Sequence, residues 1–321
     1  MPSFATEVKN EMARKSYGRS CCRRAELAAL LRMGAALVFG LHRAYGLTFT
    51  TENAAVARKV LQLLKKEGGG LTTEITVSRS RRLKKNNTYT VRVLPEPQVA
   101  ELLASLGFIR REGGSPEAEE SLNMESDSAL LRKSCCRAAY LRGAFQGGGS
   151  VNRPEAAYHL ELATGNYAFA QLLHSLLRRM GLPAGLTDRK DMYVIYLKEG
   201  DAIIDFLALC EAEQAVEAME VARNVKEVRE QVNRLVNCET ANLQKTVDAA
   251  GRQLELIQRL AAEGRLDELS PKLRAAALAR LARPEASLSE LAEELGISKS
   301  GMNHRLRKLR EFAEVGDIVE T

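Results

Sequence analysis

The 321-residue chain contains no tryptophan, and aromatic residues make up 5% of it. It has no run of about 18 apolar residues, so we expect no membrane-spanning helix and no membrane partner. Segment 1–15 lacks the apolar core of a secretory signal, which predicts a cytoplasmic protein. The scarcity of aromatic residues counts against an RNA-binding protein, because such proteins usually stack bases on aromatic side chains.

None of the six cysteines follows C-x-x-C spacing. Thiolate zinc sites usually place about two to four residues between paired cysteines. Two adjacent pairs occur instead, at Cys21–Cys22 and Cys135–Cys136, and they can share a metal only if the fold brings them together. The spacing therefore favours reduced, buried thiols at the starts of two equivalent helices, and it predicts no metal and no cofactor.

The sequence contains an internal repeat. CCRRAELAALLRMGAA (21–36) and CCRAAYLRGAFQGGGS (135–150) match at six positions with a single offset of 114 residues. This spacing indicates a duplicated domain, since solenoid units are roughly 20–50 residues long. Each copy has the pattern of an α+β unit, and small residues at 34–36 and 147–149 would let the two leading helices pack closely. The predicted organisation is a first repeat (1–110), a polar linker (111–126), a second repeat (127–220), a helical connector (221–268) and a helix-turn-helix domain (269–316).

A basic hairpin is predicted in the first repeat. Its cations follow one another with no acidic residue between positions 79 and 92: Arg79, Arg81, Arg82, Lys84, Lys85 and Arg92. These cations form either a DNA-contacting surface, additional to the one described next, or a solvated hairpin tip. The corresponding hairpin of the second copy has only Arg189 and Lys190 beside two aspartates, so any footprint on DNA would be lopsided.

Residues 287–316 have the pattern of a helix-turn-helix. Ser287 can cap the first helix, Gly296 can make the turn, and Met302, Leu306 and Leu309 have core spacing. Residues 298–310 hold five basic residues and no acid. A helix of this kind fits the major groove, and the alternative is a small packing bundle. The predicted DNA-contacting side chains are Ser298, Lys299, Ser300, Asn303, His304, Arg305, Arg307 and Lys308.

The duplicated helices resemble the LAGLIDADG motif of homing endonucleases, on LAALLRMGA (27–35) and LRGAFQGGG (141–149). That resemblance implies pseudo-two-fold αββαββα repeats with the motif helices at their centre. Active members carry a metal-binding acidic residue at the positions occupied here by Gly34 and Gly148. The motif's other acidic position is Arg32 in one copy and Gln146 in the other. The resemblance therefore implies the fold with the endonuclease positions lost, and no catalytic residues or bound metal.

The whole chain resembles the WhiA family, on VKEVREQVNRLVNCETANLQKTV (225–247) and ISKSGMNHRLRKL (297–309). Its C-terminal unit also resembles the DNA-binding fourth region of bacterial sigma factors. The resemblance implies a non-enzymatic, nucleoid-associated transcriptional regulator of cell division, chromosome segregation and, in spore formers, sporulation. Its implied partner is double-stranded DNA at promoter-like sites, with RNA polymerase or a co-regulator as a further candidate. The alternatives are an active endonuclease and an RNA-binding or scaffold protein.

Overall fold

The computed structural model describes residues 2–16, 18–40, 44–79, 87–111, 120–123 and 128–317. It divides into two compact units, Met1–Lys226 and Glu227–Thr321. The boundary falls inside a 50-residue helix, Glu213–Ala262. The predicted border at residue 220 therefore lies within a continuous helix. Among the described residues, no helix combines the length and the apolar character needed to cross a membrane.

The first unit contains two copies of one arrangement. Helix α1 (Phe4–Arg14) precedes the first copy. The elements of that copy are α2 (Ser20–Gly34), β1 (Ala35–Phe39), β2 (Tyr45–Thr51), α3 (Ala54–Glu67), β3 (Thr73–Arg79), β4 (Asn87–Glu96) and α4 (Pro97–Ser105). A two-stranded sheet, β5 (Ile109–Arg111) and β6 (Glu120–Leu122), and a 3-10 helix (Ser128–Leu131) follow. The second copy comprises α5 (Ser134–Gly148), β7 (Gly149–Val151), β8 (Leu160–Thr164), α6 (Tyr167–Arg179), β9 (Gly185–Arg189), β10 (Met192–Leu197) and α7 (Gly200–Leu209).

The two copies have the same topology. Their antiparallel sheets have strand orders β1-β2-β4-β3 and β7-β8-β10-β9. Equivalent asparagines cap α3 and α6: the side chain of Asn53 accepts from the backbone N–H groups of Ala55 and Val56, and that of Asn166 accepts from Phe169. The αββαββα pattern implied by the sequence is confirmed. The glycine run at 147–149 ends α5 and begins strand β7.

Helices α2 and α5 pack against each other at the centre of this unit, and one continuous apolar core contains buried residues of both copies. A Cβ added at Gly143 would lie 2.3 Å from the carbonyl oxygen of Glu26, and one at Gly147 would lie 2.5 Å from Cβ of Met33. Gly147 thus belongs to the small-residue contact predicted from the sequence. At Gly34, by contrast, the added Cβ would lie 2.9 Å from the ring of Phe49 in the same copy. The lack of a side chain at Gly34 therefore leaves room for this ring on β2.

A buried charged cluster joins the copies beside this contact. The fully buried carboxylate of Glu26 on α2 lies 3.4 Å from Nε of Arg142 and 3.6 Å from Nζ of Lys59. Nε2 of Gln146 donates to the same carboxylate at 2.8 Å. Burial lowers the pKa of Lys59, opposed by the negative charge of Glu26. Removing one member would leave a buried charge with fewer partners, which makes the cluster a constraint on how the helices align.

The predicted linker contains ordered structure. Strand β6 pairs with β5, and the side chain of Asn123 is buried and donates to the carbonyl of Gly107 at 3.1 Å. Positions 112–119 and 124–127 of this segment lie outside the described residues. Part of the segment between the copies is therefore packed on the first copy.

The second unit is helical. It contains the C-terminal part of α8 (Glu213–Ala262), a 3-10 helix (Arg265–Glu268), α9 (Pro271–Ala282), α10 (Leu288–Glu294) and α11 (Lys299–Asp317). Its separate core includes Ile257 of α8 together with Leu291 and Met302. The folded helix-turn-helix unit therefore includes residues before the predicted start at 269. Nearer the start of α8, apolar side chains are exposed to solvent at Val225, Val228, Val232 and Leu235.

The contact at Gly143 sets a stability prediction. Gly143→Ala should lower the free energy of unfolding by about 1–3 kcal/mol, because the new methyl group meets backbone that cannot rotate away. All eight tyrosines lie in Met1–Lys226, so tyrosine fluorescence during urea unfolding reports on this unit selectively.

Gly251→Ala on α8 is the matched control, since an added Cβ there meets nothing within 4 Å. It should leave the tyrosine transition unchanged and stabilise its own helix by up to about 1 kcal/mol. An unchanged tyrosine transition in Gly143→Ala would contradict the close helix contact.

Candidate nucleic-acid interface

A capping box fixes the start of α10. The backbone N–H of Ser287 donates to the carboxylate of Glu290 at 2.7 Å, and the N–H of Glu290 donates to the Ser287 hydroxyl at 3.3 Å. These hydrogen bonds hold the pKa of Glu290 below its usual range. The carboxylate's contribution is therefore present at neutral pH and is lost as the pH falls through that lowered pKa. The cap predicted at Ser287 is thus present in the structure.

The turn between α10 and α11 follows the sequence pattern. Gly296 has φ of +63°, a left-handed conformation in which a side chain would be strained. The N–H of Ile297 donates to the carbonyl of Ala292 at 2.9 Å, which closes the end of α10. The hydroxyl of Ser298 then accepts from the N–H of Gly301 at 3.1 Å and caps α11. Both caps and the turn set the angle at which α11 leaves α10.

The predicted core positions Met302, Leu306 and Leu309 are buried. Arg280 of α9 is also buried, and it donates to the carbonyl of Ala286 at 2.5 Å. Burial lowers the pKa of this guanidinium. The arginine thereby ties the connection between α9 and α10 to the core of the unit, a role that its position in an alanine-rich helix did not indicate.

The predicted DNA-contacting side chains lie on the outside of α11 or at its start. Lys299, Ser300, Asn303, His304, Arg307 and Lys308 are exposed, as is the capping residue Ser298, and Arg305 is half-buried. Arg307 lies 3.6 Å from Glu311, and Arg310 lies 3.5 Å from Glu314. Both are exposed pairs one helical turn apart, and such pairs are weak enough to be exchanged for a phosphate contact.

A cleft of about 340 Å³ separates α11 from the end of α8. Its lining residues are Ala249, Arg252, Gln253, Leu256, Asn303, Leu306, Arg307 and Arg310. Three arginines and no acidic residue line it, so it is suited to an anion such as a DNA phosphate. Asn303 therefore lies at the flank of α11 beside this cleft, whereas His304 lies on the outer face.

Arg252 was not predicted as a site residue. It precedes the helix-turn-helix by more than one helix in the sequence, and no local pattern on α8 distinguishes it from other exposed cations. Only the packing of Ile257 and Leu260 of α8 in the second unit brings Arg252 next to Arg307.

Two of the six hairpin cations, Arg79 and Arg92, are described, and they lie on opposite faces of the first sheet. Arg92 pairs across the sheet with Thr48 and Glu74 and is exposed. Glu74 and Arg92 are directly opposite each other, so their side chains lie on the same face of the sheet. Side chains alternate between the two faces along a strand, and Arg79 is an odd number of positions from Glu74 on β3, so Arg79 lies on the other face. Arg81, Arg82, Lys84 and Lys85 lie outside the described residues.

The positions that would hold a catalytic metal are unsuited to one. Gly34 and Gly148 end α2 and α5 and have no side chain to offer. A Cβ at Gly148 would lie 2.5 Å from Cε of Met33 and 2.8 Å from the carbonyl of Ala163, so the space for a carboxylate is filled.

The motif's other two acidic positions are also engaged elsewhere. Arg32 donates to the carbonyl of Gly107 at 2.9 Å and lies over the ring of Phe108, while Gln146 donates to Glu26. Mg²⁺ needs hard oxygen ligands, which these four residues do not supply together. No metal-dependent step is therefore assigned to this centre.

The fold and the C-terminal unit define a class of protein: a duplicated LAGLIDADG-like domain followed by a helix-turn-helix domain. Three family models match these parts, the WhiA N-terminal LAGLIDADG-like domain at residues 20–109, the WhiA LAGLIDADG-like domain at 137–229 and the WhiA C-terminal HTH domain at 232–313. The chain belongs to the WhiA family, as the sequence resemblance implied.

Individual relatives agree with this assignment. The chain is 49% identical to "Probable cell division protein WhiA" of Desulforamulus reducens over 314 residues, which cover 97% of this chain and 95% of that protein. The corresponding protein of Heliobacterium modesticaldum is 45% identical and covers 97% of this chain, with 96% of its own length matched. The crystal structure of full-length DUF199/WhiA from Thermatoga maritima has the same fold, with a TM-score of 0.52, 22% identity and 98% of each chain covered.

The capping box generates a second stability prediction. Ser287→Ala should lower the stability of the helix-turn-helix unit by about 1 kcal/mol, because the N–H of Glu290 loses its acceptor. The change should appear in thermal unfolding followed by far-ultraviolet circular dichroism and be absent from tyrosine fluorescence, since the second unit contains no tyrosine.

Ser300→Ala, on the exposed face of α11, is the matched control and should unfold like the parent chain. Equal unfolding curves for Ser287→Ala and Ser300→Ala would contradict the assigned role of the cap.

Proposed function

We propose that this chain is a sequence-specific DNA-binding transcriptional regulator without endonuclease activity. The observation that carries the proposal is the α11 surface, where exposed polar and basic side chains lie next to a cleft lined by Arg252, Arg307 and Arg310. The N-terminal half of α11 enters the major groove, and Lys299, Ser300, Asn303 and His304 meet base edges. The three arginines hold phosphates at the edge of that groove.

The duplicated domain acts as a scaffold in this proposal. In the described part of the first sheet, Arg92 lies directly across from Glu74, so the charge of this arginine is balanced locally. The basic hairpin at 79–92 adds a sequence-independent contact to the DNA backbone. Cell division, chromosome segregation and, in spore formers, sporulation are the processes we propose it regulates, in keeping with the relatives' name "Probable cell division protein WhiA". Double-stranded DNA is its proposed partner in the nucleoid, with RNA polymerase or a co-regulator as a second.

A DNA-binding titration separates base readout from phosphate contact. The probes are a duplex selected by this chain from a random library, its single-base variants and a scrambled duplex of equal composition. Asn303→Ala and His304→Ala should each weaken binding by about 1–3 kcal/mol on the selected duplex and little on the scrambled one. Arg252→Ala and Arg307→Ala should weaken both alike and reduce the slope of log K against log salt by about 0.9 per lost phosphate contact.

The same titration tests the hairpin through a chain in which Arg81, Arg82, Lys84 and Lys85 are all alanine. A smaller salt slope on both duplexes supports the hairpin contact, and an unchanged slope makes it a solvated tip. Lys272→Ala, at the start of α9 and outside the cleft, is the control for loss of charge alone. If neither the α11 nor the Arg252 variants alter binding, the helix-turn-helix is a packing unit and the proposal fails.

The absence of nuclease chemistry is tested with supercoiled plasmid. We expect no nicked or linear product with Mg²⁺ or Mn²⁺ at protein concentrations that saturate the DNA, because Gly34 and Gly148 supply no ligand. The contrary result is metal-dependent cleavage that co-purifies with the chain and disappears in Glu26→Gln or Glu161→Gln. That result would show that other carboxylates bind the metal, and it would overturn this part of the proposal.

A further inference from the structure

The two adjacent cysteine pairs meet where the N-terminal ends of α2 and α5 come together. The Sγ atoms of Cys21, Cys22, Cys135 and Cys136 all lie within 4.8 Å of one another. Those of Cys21 and Cys22 are 4.0 Å apart. Chain spacing alone argued against a shared site, because neither pair has the usual gap between its members. The packing of α2 against α5 supplies the second pair instead.

The arrangement is close to that of a tetrahedral thiolate site. A zinc–sulfur distance of about 2.3 Å places the sulfurs of a regular tetrahedron about 3.8 Å apart. The longest separation here would have to shorten by about 1 Å, which rotations of the cysteine side chains can provide. A tetrahedron also has two-fold axes that exchange its corners in pairs, so the pseudo-two-fold relation of the copies suits it.

Two helix N-termini and nearby cations can offset part of the negative charge of four thiolates, although burial raises the pKa of Cys22 and Cys136 in the metal-free chain. The cysteines occupy the first turns of α2 and α5, where the free N–H groups and helix dipoles stabilise anions. Neither first turn contains an acidic residue, although acids are favoured there. Basic residues precede both pairs instead, Arg19 at the cap of α2 and Lys133 at the cap of α5.

Access and burial also fit a structural metal. Cys22 and Cys136 are buried, whereas Cys21 and Cys135 are partly exposed, so an ion can enter from one side. Each helix has 15 residues, and at about 1.5 Å per residue the cysteines lie roughly 20 Å from Gly34 and Gly148 at the opposite ends. The cysteine cluster is therefore separate from the positions where relatives of this fold carry out catalysis.

We propose that Cys21, Cys22, Cys135 and Cys136 together bind one zinc ion, which links the N-terminal ends of α2 and α5. All four thiols lose their protons to solvent on binding, and the site carries a net charge of about −2 with no change of oxidation state. All four coordination positions are filled by sulfur, so no position remains for water or substrate. The ion acts structurally, as a cross-link between the two copies.

Metal content and cobalt substitution test the site on the full chain. Protein purified without chelator should hold about one zinc per chain by elemental mass spectrometry. Replacement with Co²⁺ should produce sulfur-to-cobalt charge transfer and the visible bands of tetrahedral cobalt. In the Cys21→Ser/Cys135→Ser chain, the amount of zinc bound per chain should fall at least about tenfold. Cys238→Ser, which alters an exposed cysteine of α8, should retain it.

A chelator should lower the midpoint of the tyrosine-detected unfolding transition in the parent chain and not in the double variant. The cobalt spectrum of the parent chain decides the matter even if the double variant fails to fold. Three results would overturn the proposal: zinc content unchanged in the folded double variant, iron in place of zinc in the purified chain, or mass spectrometry that finds disulfides among the four cysteines with no metal bound.

Discussion

Close approach of α2 and α5 is the constraint on which the first unit depends. At Gly143 the helices come so near that a single added carbon would sit 2.3 Å from a carbonyl oxygen. Such an approach positions both four-stranded sheets, because each sheet follows directly from the end of one of these helices. It also brings Glu26 to Arg142 and Cys22 to Cys136, contacts that neither copy can make alone.

The same packing fills the space that acidic side chains would need at the ends of α2 and α5. The volume that a carboxylate would need beside Gly148 is occupied by Met33, and the space beside Gly34 is occupied by Phe49. Both glycines are themselves half-buried, and each packs on an apolar side chain at the end of its helix.

Sequence reasoning succeeded where structure is set locally. The cap at Ser287 and the turn at Gly296 follow from neighbouring residues, and the structure has both. Features that depend on distant segments were missed. Gly143, Arg280 and Arg252 acquire their roles only from elements packed on them. The cysteine pairs were set aside on spacing, a rule that applies within one chain segment and not between the two halves of a duplication.

The central helix pair also has a consequence for folding kinetics. Its partners are separated by the repeat offset of 114 residues, from Cys21 to Cys135. Loop closure over that distance must precede the contact, and topologies dominated by such distant pairings fold slowly. During synthesis, α2 leaves the ribosome with its apolar face uncovered until α5 has emerged. The nascent first copy therefore exposes apolar surface that only the second copy covers, and such surface promotes aggregation.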